Sequence, residues 1–149
     1  MSGNGKPLSV LVAEDNEVNR MLLGSILKRL GHRHAVAADG LEAVAAVERG
    51  SFDVVLMDVQ MPVVDGIEAT RRIRAMAGDR GSLPIIALTA NAMAGDRERY
   101  MAAGMTDYVS KPINIDDLSA ALDRVAQSGS PRSARLMAHA GDSVSGNGG

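Results

Sequence analysis

The run Val54-Val55-Leu56-Met57-Asp58 carries four apolar residues without a break and ends on an acid. A strand that is apolar at every position is buried on both faces, as in a parallel sheet covered by helices. The flanks agree. Upstream, Asp39-Gly40-Leu41-Glu42 has the form of a capping box, and the helix it opens runs to Arg49 and stops at Gly50. Downstream, Met61-Pro62 and Asp65-Gly66 mark a loop before a helix over 67–76, followed by a polar, flexible connection over 78–82. A fourth strand over 84–88 ends at Thr89, and a helix over 96–103 is closed by Gly104. A short strand over 107–110 ends at Lys111, and Asn114 caps a last helix with Leu118, Leu122 and Val125 on one stripe. Toward the N-terminus, a strand over 8–13 ends at Glu14-Asp15. Val18, Met21, Leu22, Ile26, Leu27 and Leu30 then give a helical period that Gly31 closes. A weak strand follows over 34–38. Five repeats of strand then helix predict a parallel sheet with helices on both faces. Right-handed crossovers leave few topologies for it.

Composition narrows the class. The chain has 149 residues, 46% hydrophobic and 23% charged, the size and balance of one globular domain. A net charge of −2 shows no basic footprint for nucleic acid. No apolar run approaches the roughly 20 residues that span a bilayer, and the first seven residues form no signal peptide. There is no cysteine, which suits a reducing compartment, and the expected location is the cytoplasm. Three parts are predicted: an N-terminal extension over 1–7, the domain over 8–127, and a flexible tail over 128–149. The tail holds five serines and five glycines in 22 residues.

The polar residues fall in one pattern. Glu14-Asp15, Asp58, Thr89 and Lys111 each stand at the C-terminal end of a predicted strand. Open α/β sheets bind ligands outside those ends, so three carboxylates, a hydroxyl and an ammonium are expected around one crevice. Three close acids repel one another unless a cation is present. Mg²⁺ favours oxygen ligands and usually keeps waters and a phosphate. Asp15 and Asp58 are the expected direct ligands, with Glu14 acting through water. A carboxylate at Asp58 can act as nucleophile and form an aspartyl phosphate. Lys111 and Thr89 can then stabilise the phosphoryl oxygens by charge and by a hydrogen bond. Blander readings exist for each residue. Glu14-Asp15 could cap the first helix, Thr89 could be an ordinary strand residue, and Lys111 a solvated loop lysine. Lys111-Pro112 is a site where a cis peptide can occur.

These segments together resemble the receiver domains of bacterial two-component response regulators. The matching stretches are Val10-Leu11-Val12-Ala13-Glu14-Asp15-Asn16, Met57-Asp58-Val59-Gln60-Met61-Pro62, Asp65-Gly66, Leu88-Thr89-Ala90 and Tyr108-Val109-Ser110-Lys111-Pro112. Each alone is weak, but their order and placement at strand ends are specific. The wording is most similar to receivers attached to hybrid histidine kinases. The resemblance implies a flavodoxin-like (βα)5 three-layer sandwich with strand order 2-1-3-4-5. It implies that Asp58 takes a phosphoryl group from a phosphohistidine on a histidine kinase or phosphotransfer domain. Mg²⁺ would be held by Asp15, Asp58 and the backbone carbonyl of Gln60, with Glu14 in the outer sphere. Thr89, Lys111 and the backbone of Ala90 would meet the phosphate, Pro112 would be structural, and Tyr108 would turn inward behind Thr89. The face of helix 4, strand 5 and helix 5 would then change shape toward a downstream effector. A phosphorylation-dependent dimer is compatible with this, and no nucleic acid or membrane partner is expected.

Three other readings compete. A haloacid-dehalogenase-type phosphatase uses a similar aspartate, but needs a second acid two residues later, where Gln60 stands. A scaffold that works without phosphorylation does not need so complete a site. A flavin module needs a phosphate-cradling loop where Glu14-Asp15 would repel phosphate. The expected protein is a phosphoacceptor with no free substrate to turn over. Asn91 and Gln60 occupy positions that tune phosphate lifetime in the family. Met61 and Met93 are candidates for the site rim. Arg71, Arg72 and Arg74 read as a solvated basic helix face, and His32, His34 and His139 as solvent-facing.

Overall fold

The computed structural model describes residues 7–90 and 94–128. The expected tail beyond Ser128, with His139 in it, most of the N-terminal extension, and Asn91 and Met93 lie outside the described residues. Five strands, β1 (Ser9–Ala13), β2 (Arg33–Ala37), β3 (Val54–Asp58), β4 (Ile85–Thr89) and β5 (Asp107–Ser110), form one parallel sheet in the order β2-β1-β3-β4-β5. The helices are α1 (Glu17–Arg29), α2 (Gly40–Arg49), α3 (Gly66–Arg74), α4 (Ala94–Ala103) and α5 (Ile115–Ser128). The expected fold and strand order are those observed.

Strand side chains alternate between two layers. Val10, Val12, Val54, Leu56, Ile86 and Leu88 pack with Leu23, Ile26 and Leu27 of α1 and Leu118 and Leu122 of α5. Leu11, Ala13, Val55, Met57, Ile85 and Ala87 pack on the other face with α2, α3 and α4 through Val47, Ile73 and Tyr100. Every residue of β3 and β4 is buried, which explains why their sequences lack alternation. Each large apolar side chain buried in these layers stabilises the fold by about 1.5–3 kcal/mol. β2 lies at the sheet edge with four of its five residues exposed, hence its weak pattern.

Four expectations need correction, the last of them at Arg74. Residues 78–82 form a 3₁₀ turn rather than a loose connection. Val18, Met21 and Leu22 share the helical period of α1 but stand exposed, because α1 buries Leu23, Gly24, Ile26 and Leu27 instead. His32 is only partly exposed, and its Nδ1 accepts the backbone N–H of Leu8 at 3.0 Å. Burial lowers its pKa, ahead of the raising effect of Asp123 and Asp53. Among the described residues, no helix is long and apolar enough to cross a membrane.

Arg74 departs furthest from its expected place. Arg71 and Arg72 are exposed beside Glu68, but Arg74 is half-buried. Its Nε donates to the Gly104 carbonyl at 2.8 Å, and its Nη1 to those of Gly81 at 3.1 Å and Leu83 at 2.7 Å. One guanidinium thus ties α3 to the segments before β4 and after α4. Charged donors to carbonyls are worth about 1.5–3 kcal/mol each, less where water can replace them. Arg74→Ala is therefore expected to lower unfolding free energy by about 2–4 kcal/mol, read as the urea midpoint. A loss below about 0.5 kcal/mol would show that water replaces these bonds without penalty.

Candidate functional site

The C-terminal ends of β1, β3, β4 and β5 open into one cleft of about 550 Å³. Local structure frees its acids for chemistry. Asn16, not Glu14 or Asp15, caps α1, its side chain accepting the Asn19 N–H at 2.9 Å. Asp65 likewise caps α3 through the Glu68 N–H, at 2.9 Å, so Asp58 is not needed there. Asp39 and Glu42 complete the cap of α2, with Glu42 Oε1 reaching back to the Ala38 N–H. Gly66 follows from close packing: a Cβ there would collide with the backbone carbonyl of Asp58.

Glu14, Asp15 and Asp58 each place a carboxylate oxygen within 4.8 Å of the others. Glu14 is 1% exposed and Asp58 4%, whereas Asp15 stands exposed at the mouth. Lys111 Nζ lies 3.2 Å from Asp58 Oδ2 and 3.3 Å from Glu14 Oε1. The contact to Glu14 is an ion pair without hydrogen-bond geometry, so that buried oxygen has charge compensation but no hydrogen-bond partner. Glu14 Oε2 accepts the Asn16 N–H at 3.1 Å, and Asp58 Oδ1 accepts the Gln60 N–H at 3.2 Å.

One ammonium cannot neutralise three carboxylates. Burial first, and then the neighbouring Glu14, push the Asp58 carboxyl up to about 6 despite Lys111. Burial lowers the Lys111 pKa, but the charges of Asp58 and Glu14 outweigh it and leave the group raised. A cluster of hard oxygen donors, short of positive charge and open to solvent through Asp15, fits a divalent cation such as Mg²⁺. The cation would keep Asp58 ionised at neutral pH.

Thr89 ends β4, is 3% exposed and lines the same cleft. Ala90 and Gln60 line its rim. Lys111-Pro112 is cis. Tyr108 is half-buried, with the Arg97 guanidinium 5.4 Å from its ring centroid. Met61 is buried and also lines the cleft. Glu14, Asp15, Asp58, Thr89 and Lys111 thus meet at one end of the sheet, whereas Tyr108 does not line the cleft and packs beside Arg97 of α4.

Two contacts were not legible in the sequence. Arg20 Nη1 donates to the Glu14 carbonyl at 2.9 Å, holding the loop between β1 and α1. Tyr100 of α4, 2% exposed, places its hydroxyl 2.7 Å from Thr89 Oγ1. No spacing rule joins a strand end to the seventh residue of the next helix, so only an aromatic on an otherwise polar helix could have drawn notice.

Residues 10–123 match the family model described as the response regulator receiver domain. The chain is 44% identical over 114 residues to hybrid signal transduction histidine kinase I of Dictyostelium discoideum, covering 72% of this chain and 7% of that protein. It is 45% identical over 122 residues to sensor protein GacS of Pseudomonas syringae pv. syringae, covering 77% and 14%. The chain therefore spans a small fraction of these relatives. A receiver domain of a sensor histidine kinase of Pseudomonas aeruginosa PAO1, solved with a magnesium ion coordinated in its active site cleft, is 44% identical. Its TM-score is 0.74, over 81% of this chain and 99% of that one. The receiver domain of the Saccharomyces cerevisiae response regulator Ssk1 was solved with the histidine phosphotransfer signalling protein Ypd1. It is 31% identical, with a TM-score of 0.76 over 83% and 92%.

Proposed function

Because the chain belongs to the response regulator receiver domain family of two-component phosphorelays, we propose that Asp58 is its phosphoacceptor, loaded with the help of Mg²⁺ from a phosphohistidine. The observation that supports this most is the buried Asp58 carboxylate, 3.2 Å from the Lys111 ammonium and grouped with Glu14 and the exposed Asp15 in one cleft. Asp15, Asp58 and the Gln60 carbonyl would hold the cation, with Glu14 behind them through water. The bound cation supplies charge neutralisation for the carboxylates and the phosphoryl oxygens.

The chain's own groups do the remaining work. An Asp58 oxygen attacks phosphorus, the bond from phosphorus to the donor imidazole nitrogen breaks, and the imidazole leaves with its electron pair and takes up a proton. Lys111 moves its charge from the carboxylates to the new phosphoryl oxygens. Thr89 donates a hydrogen bond from its hydroxyl to one of them, and the Ala90 backbone faces another. Burial of Asp58 orients the nucleophile and keeps bulk water from it. The new dianion then biases a two-state element, Thr89 turning toward it and Tyr108 inward behind it. The face of α4, β5 and α5 carries the change to an effector. The partners proposed are a histidine phosphotransfer domain or kinase upstream and an effector protein downstream, with residues 8–127 as the working unit.

Intact-protein mass after incubation with acetyl phosphate tests the reading, with Mg²⁺ or with a chelator. One phosphate adduct that needs Mg²⁺ is the expected result. Steady release of phosphate from many esters would favour the phosphatase reading. No adduct under either condition would favour a scaffold that works unphosphorylated.

A further inference from the structure

We propose that Tyr100 is a latch on Thr89: its hydroxyl holds the Thr89 side chain in the resting position and must release it before Thr89 can serve a phosphoryl group. The inference rests on the reading of Asp58 as phosphoacceptor and adds a positioning residue to that site. The two hydroxyls are 2.7 Å apart and both side chains are almost fully buried, at 2% and 3% exposure. Tyr100 and Thr89 line the same cleft as Asp58 and Lys111.

Neither partner can follow the other toward a phosphate. The Tyr100 ring is packed in the core layer shared with Ala87 and Ala103, and the Arg99 guanidinium lies 5.9 Å from its centroid. The Thr89 backbone is held by the register of β4 with β5 and by the Lys111 N–H, which donates to its carbonyl at 2.8 Å. On the other side, the Val59 N–H donates to the Leu88 carbonyl at 3.1 Å. Thr89 can therefore reorient only by turning about χ1, and staggered rotamers lie about 120° apart. Such a turn carries Oγ1 out of hydrogen-bond range of a fixed phenol, whichever atom donates. The bond stabilises the resting arrangement alone, so its loss shifts the population toward the arrangement that serves phosphate.

Tyr100→Phe removes the hydroxyl and keeps the buried ring, so the fold is retained. With acetyl phosphate and saturating Mg²⁺, this variant is expected to gain its phosphate about 3–10 times faster than wild type, the range for one buried hydrogen bond. In a Thr89→Val background the same change is expected to have no effect, which a general loosening of α4 would not produce. If wild type takes no phosphate, the reading of Asp58 fails and the latch falls with it. If wild type is phosphorylated and Tyr100→Phe is no faster, the latch alone is overturned. Acceleration that persists without the Thr89 hydroxyl also overturns it.

Discussion

Asp58→Asn is expected to abolish the phosphate adduct and, in the absence of divalent cation, to make the protein more stable than wild type. The first effect follows from chemistry, since an amide is no nucleophile toward phosphorus at neutral pH. The second follows from the site. The Asp58 carboxyl is pushed up to about 6 from an ordinary value of 3.8 by burial and by Glu14. The folded protein therefore holds this proton more tightly than the unfolded chain does. For a group raised in this direction, stability is greatest below about pH 4 and falls as pH rises to about 6. Asparagine has no charge to bury, so it escapes that loss. The gain over wild type should be small near pH 4 and reach about 1–3 kcal/mol above pH 6. Thermal melts at several pH values with a chelator present measure it. Mg²⁺ should reverse the order, because wild type would gain stability from a bound cation and the variant would lack one of its proposed ligands. A Mg²⁺-dependent adduct surviving in Asp58→Asn would place the acceptor elsewhere, with Asp15 the first residue to check. A variant that melts below wild type at pH 8 without cation would mean that the Asp58–Lys111 pair outweighs the repulsion.

The parts of this site visible in the sequence share one property: they sit where backbone periodicity puts them. β3 is apolar throughout because it is buried on both faces, and the change to Asp58 marks the strand end. Glu14, Thr89 and Lys111 are placed by the same argument, and the parallel sheet then gathers them. The cap at Asn16 separates the candidate roles of Glu14 and Asp15, although residue types alone allowed either acid to cap. Contacts that depend on side-chain reach stayed hidden. Arg74 lies in a run of arginines whose other members are solvated, and only the turn of α3 against the 3₁₀ segment selects it. Tyr100 meets Thr89 eleven positions further along the chain, across the change from β4 to α4, where no single period relates the two. Val18 and Met21 fit the helical period of α1 and yet face solvent at 71% and 68% exposure, because the apolar stripe is wider than the sheet can cover.

Lys111→Ala should produce the second large effect. Lys111 serves as the internal counter-ion of two carboxylates, one 1% and the other 4% exposed, at 3.3 and 3.2 Å. Truncation leaves Glu14 and Asp58 buried without positive charge. Breaking a buried pair from one side costs about 3–5 kcal/mol. Lys111 is itself 25% exposed, so water can enter and the loss should be nearer 2–3 kcal/mol without divalent cation. A competing charge at the metal site has also gone, and Mg²⁺ should bind more tightly, by about tenfold at the effective dielectric of a partly exposed site. Saturating Mg²⁺ should then recover most of the lost stability, which a purely structural defect would not do. Asp58 should still accept a phosphate, but the phosphoryl oxygens would lose the group proposed to tie them to the end of β5. Phosphorylated Lys111→Ala should therefore bind an effector no better than the unmodified protein. Titration of Mg²⁺ against melting temperature, followed by effector binding before and after phosphorylation, separates the two claims. Weaker Mg²⁺ binding would mean that Lys111 organises the ligands more than it competes with the cation. A full phosphorylation-dependent gain in effector binding would remove Lys111 from the switch.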